Sequence, residues 1–323
     1  MSPDLRAGLL PGARLVLDTA NSLLAPVDAL FAPRADGVDE GGRCVFVLGA
    51  PRSGTTLVYQ IITQQFDVAY LTGVMNYLYG MPNLWARVSK HRVGRPPPIF
   101  ESRYGKTPGV FAPAEPANFW FRWFPRDGID GNYLAAEALS GDKLIQLRNA
   151  LNCMIRIHQK PMAFKNVYLD MVIPILAKAL PRACFVFLRR DMLWNCHSLV
   201  LARRRQGLEN RWWSVRPPGY RKLLAEPLWK QAAQQVLRTR EIIERDLRDS
   251  AEGRFLEVEY EALCDDPRSV LARLKDWLEP RGFVAFPDIR LPRRFPRRSE
   301  WTLEQDQHAV RDYLERSWRR MKS

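Results

Sequence analysis

The sequence predicts an open α/β fold, a parallel sheet flanked by helices on both faces, and three observations carry that prediction. Short apolar runs recur without polar alternation, as strands do when both faces are covered. Each run is followed by a helical stretch, so successive strands are joined by crossover helices and point the same way. The length of 323 residues and an apolar share of 46% supply ample core for such a domain. With 26% charged residues, the same composition excludes a disordered chain, a collagen and a disulfide miniprotein.

Taken in order, residues 1–40 form a helical N-terminal extension. Leu9, Val16, Leu23, Leu24 and Leu30 space as one or two amphipathic helices. Arg14, Asp18 and Asp28 interrupt the apolar stretch, which makes it too polar to span a bilayer and unlike a cleavable leader. A helix docked on the domain is the expected role, with a membrane-surface helix as the alternative. Residues 41–323 are expected to form one domain of catalytic size. Its strands are RCVFVLG (43–49), MAFK (162–165), CFVFLR (184–189) and RFLEVEY (254–260). Its helices are TTLVYQIITQQ (55–65), YLDMVIPILAKAL (168–180), MLWNCHSLVLARR (192–204) and SVLARLKDWL (269–278).

Two connections differ from the rest. Residues 89–128 and 206–227 are long and irregular, rich in Pro, Gly and aromatics such as Phe119, Trp120, Trp123, Trp212 and Tyr220. Long loops in compact domains are usually functional or disordered, and this aromatic content argues against disorder. The five cysteines form no C-x-x-C pair, which points to a reducing, cytoplasmic setting and gives no sign of zinc or a disulfide framework. Lys and Arg number 49 against 35 Asp and Glu, a net charge of +14 that suggests an anionic partner.

The sharpest motif follows the first strand: Gly49-Ala-Pro-Arg-Ser-Gly-Thr-Thr56. A glycine-containing turn between a buried strand and a helix converges backbone N–H groups and the positive helix end on one point, favouring an anion. The spacing fits the Walker A frame G-x-x-x-x-G-K-[ST], but Thr55 takes the lysine position and Arg52 brings the cation. No strand ending in a clear Walker B aspartate follows, so the Mg²⁺ holder of a nucleoside-triphosphate enzyme is missing.

FVLGAPRSGTTL resembles the 5′-phosphosulfate loop of the sulfotransferases that use 3′-phosphoadenylyl sulfate, in the PRSGTT form of a bacterial branch. FKNVYLDMVIPILAKALPRACFVFLRRD, RDMLWNCHS and LEVEYEALCDDPRSVLARLKDWL are similar to later family segments in the expected order, and PAEPANFWF to a segment of that branch. The resemblance spans about 43–305 and implies a P-loop-NTPase-like sheet and a metal-free, in-line sulfuryl transfer from 3′-phosphoadenylyl sulfate to an acceptor hydroxyl or amine. It implies that Arg52, Ser53, Gly54, Thr55 and Thr56 hold the 5′-phosphate, Arg52 also stabilising charge on the bridging oxygen. Arg190 and Ser198 would clamp the 3′-phosphate, with Arg189 the substitute if the register is off by one. Eight helical residues apart they sit about 80° offset, on adjoining faces. Lys165, at a strand end, would face the transferring group.

Glu115 is the expected general base, because desolvation among aromatics and prolines suits a carboxylate to accept a hydroxyl proton. Many relatives place the base on the segment equivalent to DVAYLTGVMN; this chain has Thr72 and Gly73 there, so the role falls to Glu115, with His91 second. Tyr260 would contact the adenine or the substrate pocket, or sit in the core. Arg297, Arg298 and Ser299 would cover the 3′-phosphate, or form a solvated basic loop. His158, His197 and His308 have no partner spacing and are expected to be structural. The excursions would wall a pocket for a small-molecule or glycan acceptor: a sugar face, a phenol or a lipid-linked molecule. Competing readings are a P-loop nucleotide kinase, a catalytically inactive nucleotide-binding relative and a nucleic-acid binder. The last rests on charge alone, with no accompanying motif. The arginines at 203–205 and 290–298 stay unexplained and suit an acidic acceptor or peripheral membrane contact.

Overall fold

Strands Cys44–Leu48 (β1), Ala69–Tyr70 (β2), Met162–Lys165 (β3), Cys184–Arg189 (β4) and Phe255–Glu259 (β5) lie in one sheet of order β2-β3-β1-β4-β5. Every pairing is parallel. The structure is a computed structural model describing residues 11–33, 42–100, 108–126, 128, 130–297 and 304–322. Helices surround the sheet: Pro11–Asp28 (α1), Thr55–Gln65 (α2), Pro82–Ser89 (α3), Ala117–Trp120 (α4), Gly141–His158 (α5) and Ile173–Ala179 (α6). Met192–Arg205 (α7), Leu228–Ser250 (α8), Tyr260–Asp265 (α9), Pro267–Leu278 (α10) and Glu304–Lys322 (α11) follow.

The apolar runs are strands for the reason the pattern implied. All five residues of β1 and all four of β3 are buried, and Phe46 stacks on Phe164 and Phe185 at 5.2 and 5.6 Å between ring centroids. Trp120 of α4 adds an edge contact to Phe164 at 5.2 Å, so the first aromatic excursion is nailed to the sheet. Register fixes which strand ends meet: Val47 pairs with Lys165, Leu48 with Phe187, and Arg189 with Glu259. The C-terminal strand ends therefore share one edge, where open α/β sheets bind ligands.

Two expectations change. The stretch 168–180 is not one helix but a 3-10 turn, Val167–Met171, followed by α6. The Asn166 side chain accepts from the Tyr168 N–H at 3.0 Å and fixes the turn. Pro174 is tolerated only near a helix start, so α6 begins afresh. Helix α1 docks on the domain as expected, but with its polar side inward. Asn21 donates to the Tyr77 carbonyl at 2.8 Å and accepts from the Gly80 N–H at 2.6 Å. A Cβ on Gly80 would lie 2.3 Å from the Asn21 carbonyl oxygen, so this approach requires glycine. Asp28 accepts from the N–H groups of Asn83 and Leu84 at 3.1 and 2.9 Å, capping α3, whose own N-cap residue Met81 supplies no side-chain bond. Burial raises the Asp28 carboxyl above its ordinary range, and these two amides pull it partly back. Leu9 lies outside the described residues. Among the described residues no helix is long and apolar enough to cross a membrane.

Candidate active site

The loop from Gly49 to Thr56 joins β1 to α2 at the ligand edge of the sheet. Past Gly49, itself at φ 155°, two further loop residues hold left-handed backbone: Arg52 at φ 69° and Gly54 at φ 101°. Only glycine is at ease at the second, and a Cβ there would lie 2.5 Å from the Tyr260 ring. A left-handed arginine is costly unless its surroundings hold it. Here Arg190 Nη1 donates to the Arg52 carbonyl at 2.9 Å and Asn195 Nδ2 to the Pro51 carbonyl at 2.7 Å. Loop carbonyls are thus tied back by β4 and α7, while Ser53 Oγ is buried without a hydrogen-bond partner inside the loop.

The pair separated by eight residues does meet at this loop. Ser198 Oγ accepts from Arg52 Nε at 3.4 Å, and the Arg190 guanidinium lies 4.5 Å from the centre of the Tyr260 ring. The two neighbouring arginines differ in their surroundings, though both line the same cavity. Arg189 pairs with Glu257 at 2.9 Å, and Glu244 and Glu259 stand at 3.8 and 3.6 Å, so its charge faces carboxylates. Tyr260 is half-buried, packed on the core and over Gly54 at once. An open cavity of about 490 Å³ beside Arg190 is lined also by Met192, Arg240 and Glu261.

Lys165 and Glu115 come together from distant parts of the chain: Lys165 Nζ is 2.5 Å from Glu115 Oε2. Thr56 Oγ1 donates to Glu115 Oε1 at 3.4 Å, and Asn166 Nδ2 to the Glu115 carbonyl at 3.2 Å. Lys165 is only 6% exposed and Glu115 19%, so the pair is screened from bulk water yet open on one side. The ion-pair partner is this lysine, not one of the many arginines. Thr72 bridges Pro113 in antiparallel fashion, and the Ala114 N–H donates to the Leu71 carbonyl at 2.9 Å. The excursion thereby lays Glu115 beside the very segment whose carboxylate is missing. His91 is exposed in the turn after α3, and His308 is exposed on α11. His158 and His197 are buried, and burial pushes both imidazoles down to about 4, helped by nearby cations.

Two neighbours, Asp170 and Asn195, escaped the sequence reading. Asp170 Oδ1 accepts from the Gly49 N–H at 3.2 Å, anchoring the start of the loop from beneath. Full burial raises its carboxyl well above the ordinary range; the Gly49 amide and Lys165 oppose that rise. The signal for it was an aspartate inside the apolar run YLDMVIP. Asn195 gave no comparable signal, because single amides in helical sequence are commonplace. Arg203 is fully buried and bonds the carbonyls of Leu208, Glu209 and Arg211 and the side chain of Gln231, so it builds the second excursion. Arg297 pairs with Asp265 and the Phe295 N–H donates to the Cys264 carbonyl, bringing this strand of chain alongside α9; Arg298 and Ser299 lie outside the described residues. Among the described residues no group of His, Cys, Asp and Glu could hold a metal ion.

Comparison with known proteins bears on the fold and the family. The solved structure of sulfotransferase STF9 from Mycobacterium avium aligns with 95% of this chain and 78% of its own, at 16% identity and a TM-score of 0.52, a likeness of fold. STF1 from Mycobacterium tuberculosis H37Rv covers 94% of this chain and 80% of its own at 14% identity, with a TM-score of 0.48. No curated protein matches in sequence. A model of the sulfotransferase family matches residues 44–281, from the first residue of β1 to just beyond α10, and on that match the chain belongs to the sulfotransferase family.

Proposed function

We propose that the protein transfers a sulfuryl group from 3′-phosphoadenylyl sulfate to a hydroxyl or amine of a small-molecule or glycan acceptor, in the cytoplasm. The observation that carries this reading is the convergence of the phosphate loop, Arg190 and the Lys165–Glu115 pair on one sheet edge. The donor set fits the ligand: backbone amides around a left-handed Gly54, the orphaned Ser53 hydroxyl and two guanidinium groups suit an anion. Thr55 in place of the Walker lysine favours a sulfate donor over Mg²⁺-bound ATP.

In this reaction the chain does little covalent chemistry; it positions the reactants and balances charge. The loop holds the 5′-phosphate and Arg190 with Ser198 the 3′-phosphate, while Tyr260 borders the nucleoside. Glu115 takes the proton of the attacking hydroxyl as the new O–S bond forms and the bond from sulfur to the phosphate oxygen breaks. Lys165 and Arg52 stabilise the negative charge left on that oxygen. Lys165 changes partner on the way, from Glu115 to the departing phosphate, which frees the carboxylate for its proton. The domain assigned to 41–323 would carry all of this, while α1, within the extension, packs beside α3.

A melting experiment tests the donor. Adenosine 3′,5′-bisphosphate should raise the melting temperature without metal, by linkage of binding to folding. Stabilisation by Mg·ATP alone would sink the proposal in favour of a nucleotide kinase. A mass-spectrometric screen of acceptors with 3′-phosphoadenylyl sulfate, read as the gain of one SO₃, then identifies the acceptor. An inactive nucleotide-binding relative would show the thermal shift and no product with any acceptor.

A further inference from the structure

Helix α1 is amphipathic in the reverse sense. Its inner face is polar, with Asn21 and Asp28 buried against the 77–84 segment and Asp18 accepting from the Tyr79 hydroxyl. Its outer face carries Val16 at 70% exposure, Leu23 at 72%, Val27 at 42% and, in the 3-10 turn Ala29–Phe31, Leu30 at 81%. At about 100° per residue the three helical members of this set lie within a stripe about 40° wide. The other exposed residues described on α1 are Gly12, Ala13, Leu15, Thr19, Ser22 and Pro26, so that face holds no charge. Scattered apolar residues on a surface are ordinary; a continuous uncharged stripe along a helix marks an interaction site.

The surroundings of the stripe identify its partner. Leu30 ends against α3, where Arg87 Nε donates to the Phe31 carbonyl at 2.6 Å. The exposed ridge there continues through Arg87, Val88, His91 and Arg92, and Val88 is 57% exposed. From Val68 to Phe100 the sequence contains Arg87, Lys90, Arg92 and Arg95 and no carboxylate. An apolar stripe running into a cationic ridge complements a surface that is apolar inside and anionic outside. A second copy of the chain, meeting like patch to like patch, would offer the ridge no carboxylate from the described outer residues of α1 or from the ridge itself.

We infer that the outer face of α1, with the α3 ridge, is a docking surface for an anionic lipid membrane. Helix α1 lies in the plane of the interface, since it is not long and apolar enough to cross it. Its polar side keeps it fixed to the domain, so binding requires no detachment of the helix. Arg87 of α3 and Arg92 in the turn after it reach the headgroups and add electrostatic attraction to an anionic surface. Binding would set the enzyme on the membrane without altering the phosphate loop.

Flotation of the full chain with phosphatidylcholine vesicles, with and without phosphatidylglycerol, tests this. The protein should float with the phosphatidylglycerol vesicles, float far less with phosphatidylcholine alone, and detach as salt is raised. Leu23→Glu combined with Val27→Glu should cut the partition coefficient by at least about tenfold, and Arg92→Glu alone by about tenfold. Both changes are on exposed positions, and unchanged melting temperatures would show that the fold is kept. Failure to float with either vesicle overturns the inference, as does equal flotation by the Leu23/Val27 variant. So does sedimentation showing a dimer that this variant dissolves, because the stripe would then be an interface between copies.

Discussion

The two halves of the candidate site are built by different means. The loop, Lys165 and Arg190 stand at or just beyond the ends of buried strands, and Ser198 projects from the middle of α7, the helix that follows β4. Glu115 stands in an irregular excursion, held by one short α-helix, a two-residue bridge to Thr72 and the aromatic packing of Trp120 on the sheet. Strand ends inherit the precision of the sheet; an excursion must be fastened contact by contact. The donor half should therefore be rigid and the acceptor half adjustable, with the ion pair between Lys165 and Glu115 as the seam.

The seam offers the largest effect. Lys165→Ala removes the cation proposed to face the departing phosphate and takes the ion-pair partner from Glu115; turnover should fall about 10³-fold, roughly 4 kcal/mol in the barrier. Glu115→Gln approaches the same seam from the excursion, and should cost about 10²-fold in turnover while binding of adenosine 3′,5′-bisphosphate persists. Steady-state rates beside calorimetric titration separate the two. Loss of bisphosphate binding in the glutamine variant would erase the division into halves.

Beneath the seam, His158 ends α5 just before β3 and is held neutral by burial, with its imidazole pushed down to about 4. The unfolded chain titrates near 6.5, so between those values it binds more protons than the folded one. Stability is full above about pH 6.5 and declines as pH falls towards about 4, by roughly 3 kcal/mol from this group. Urea unfolding of wild type and His158→Gln across that window should show a shallower slope for the variant. Parallel slopes would mean that His158 contributes nothing to acid sensitivity.

Smaller effects separate the halves further. Arg203→Met removes the donors to three carbonyls of the second excursion and should cost about 2 kcal/mol in thermal unfolding, with bisphosphate affinity unchanged. A matching loss of affinity would tie that excursion to the donor half. Arg190→Ala should weaken adenosine 3′,5′-bisphosphate about tenfold more than adenosine 5′-monophosphate, about 1.4 kcal/mol of discrimination. Equal weakening of both ligands would assign Arg190 to the loop carbonyl alone.

Legibility in the sequence follows the same division. The spans 55–65, 162–165 and 184–189 coincide with α2, β3 and β4, because buried parallel strands and the helix behind a phosphate turn leave continuous apolar runs and a fixed glycine spacing. Strand β2 has two residues and leaves no pattern to read. The 168–180 stretch misled because apolar periodicity passes through Pro174 without registering the lost N–H donor. Asp170 sits in an apolar run, yet only the fold shows that its acceptor meets the Gly49 amide 121 residues away.

By itself, the sequence determined the fold class, four of the five strands in their order along the chain, the glycine turn after β1 and the residue types available to it. Those properties are local: they depend on burial of contiguous runs and on backbone conformations that particular residues permit. The tertiary structure alone decided that Arg190, not Arg189, serves the loop, that Lys165 pairs with Glu115, and that α1 turns its apolar side outward. Each of those is a choice between partners far apart in sequence. A one-residue shift of register separates two adjacent arginines, and the amides at the start of α3 outcompete leucines for the inner face of α1 because a buried, uncapped helix end costs more than exposed apolar surface.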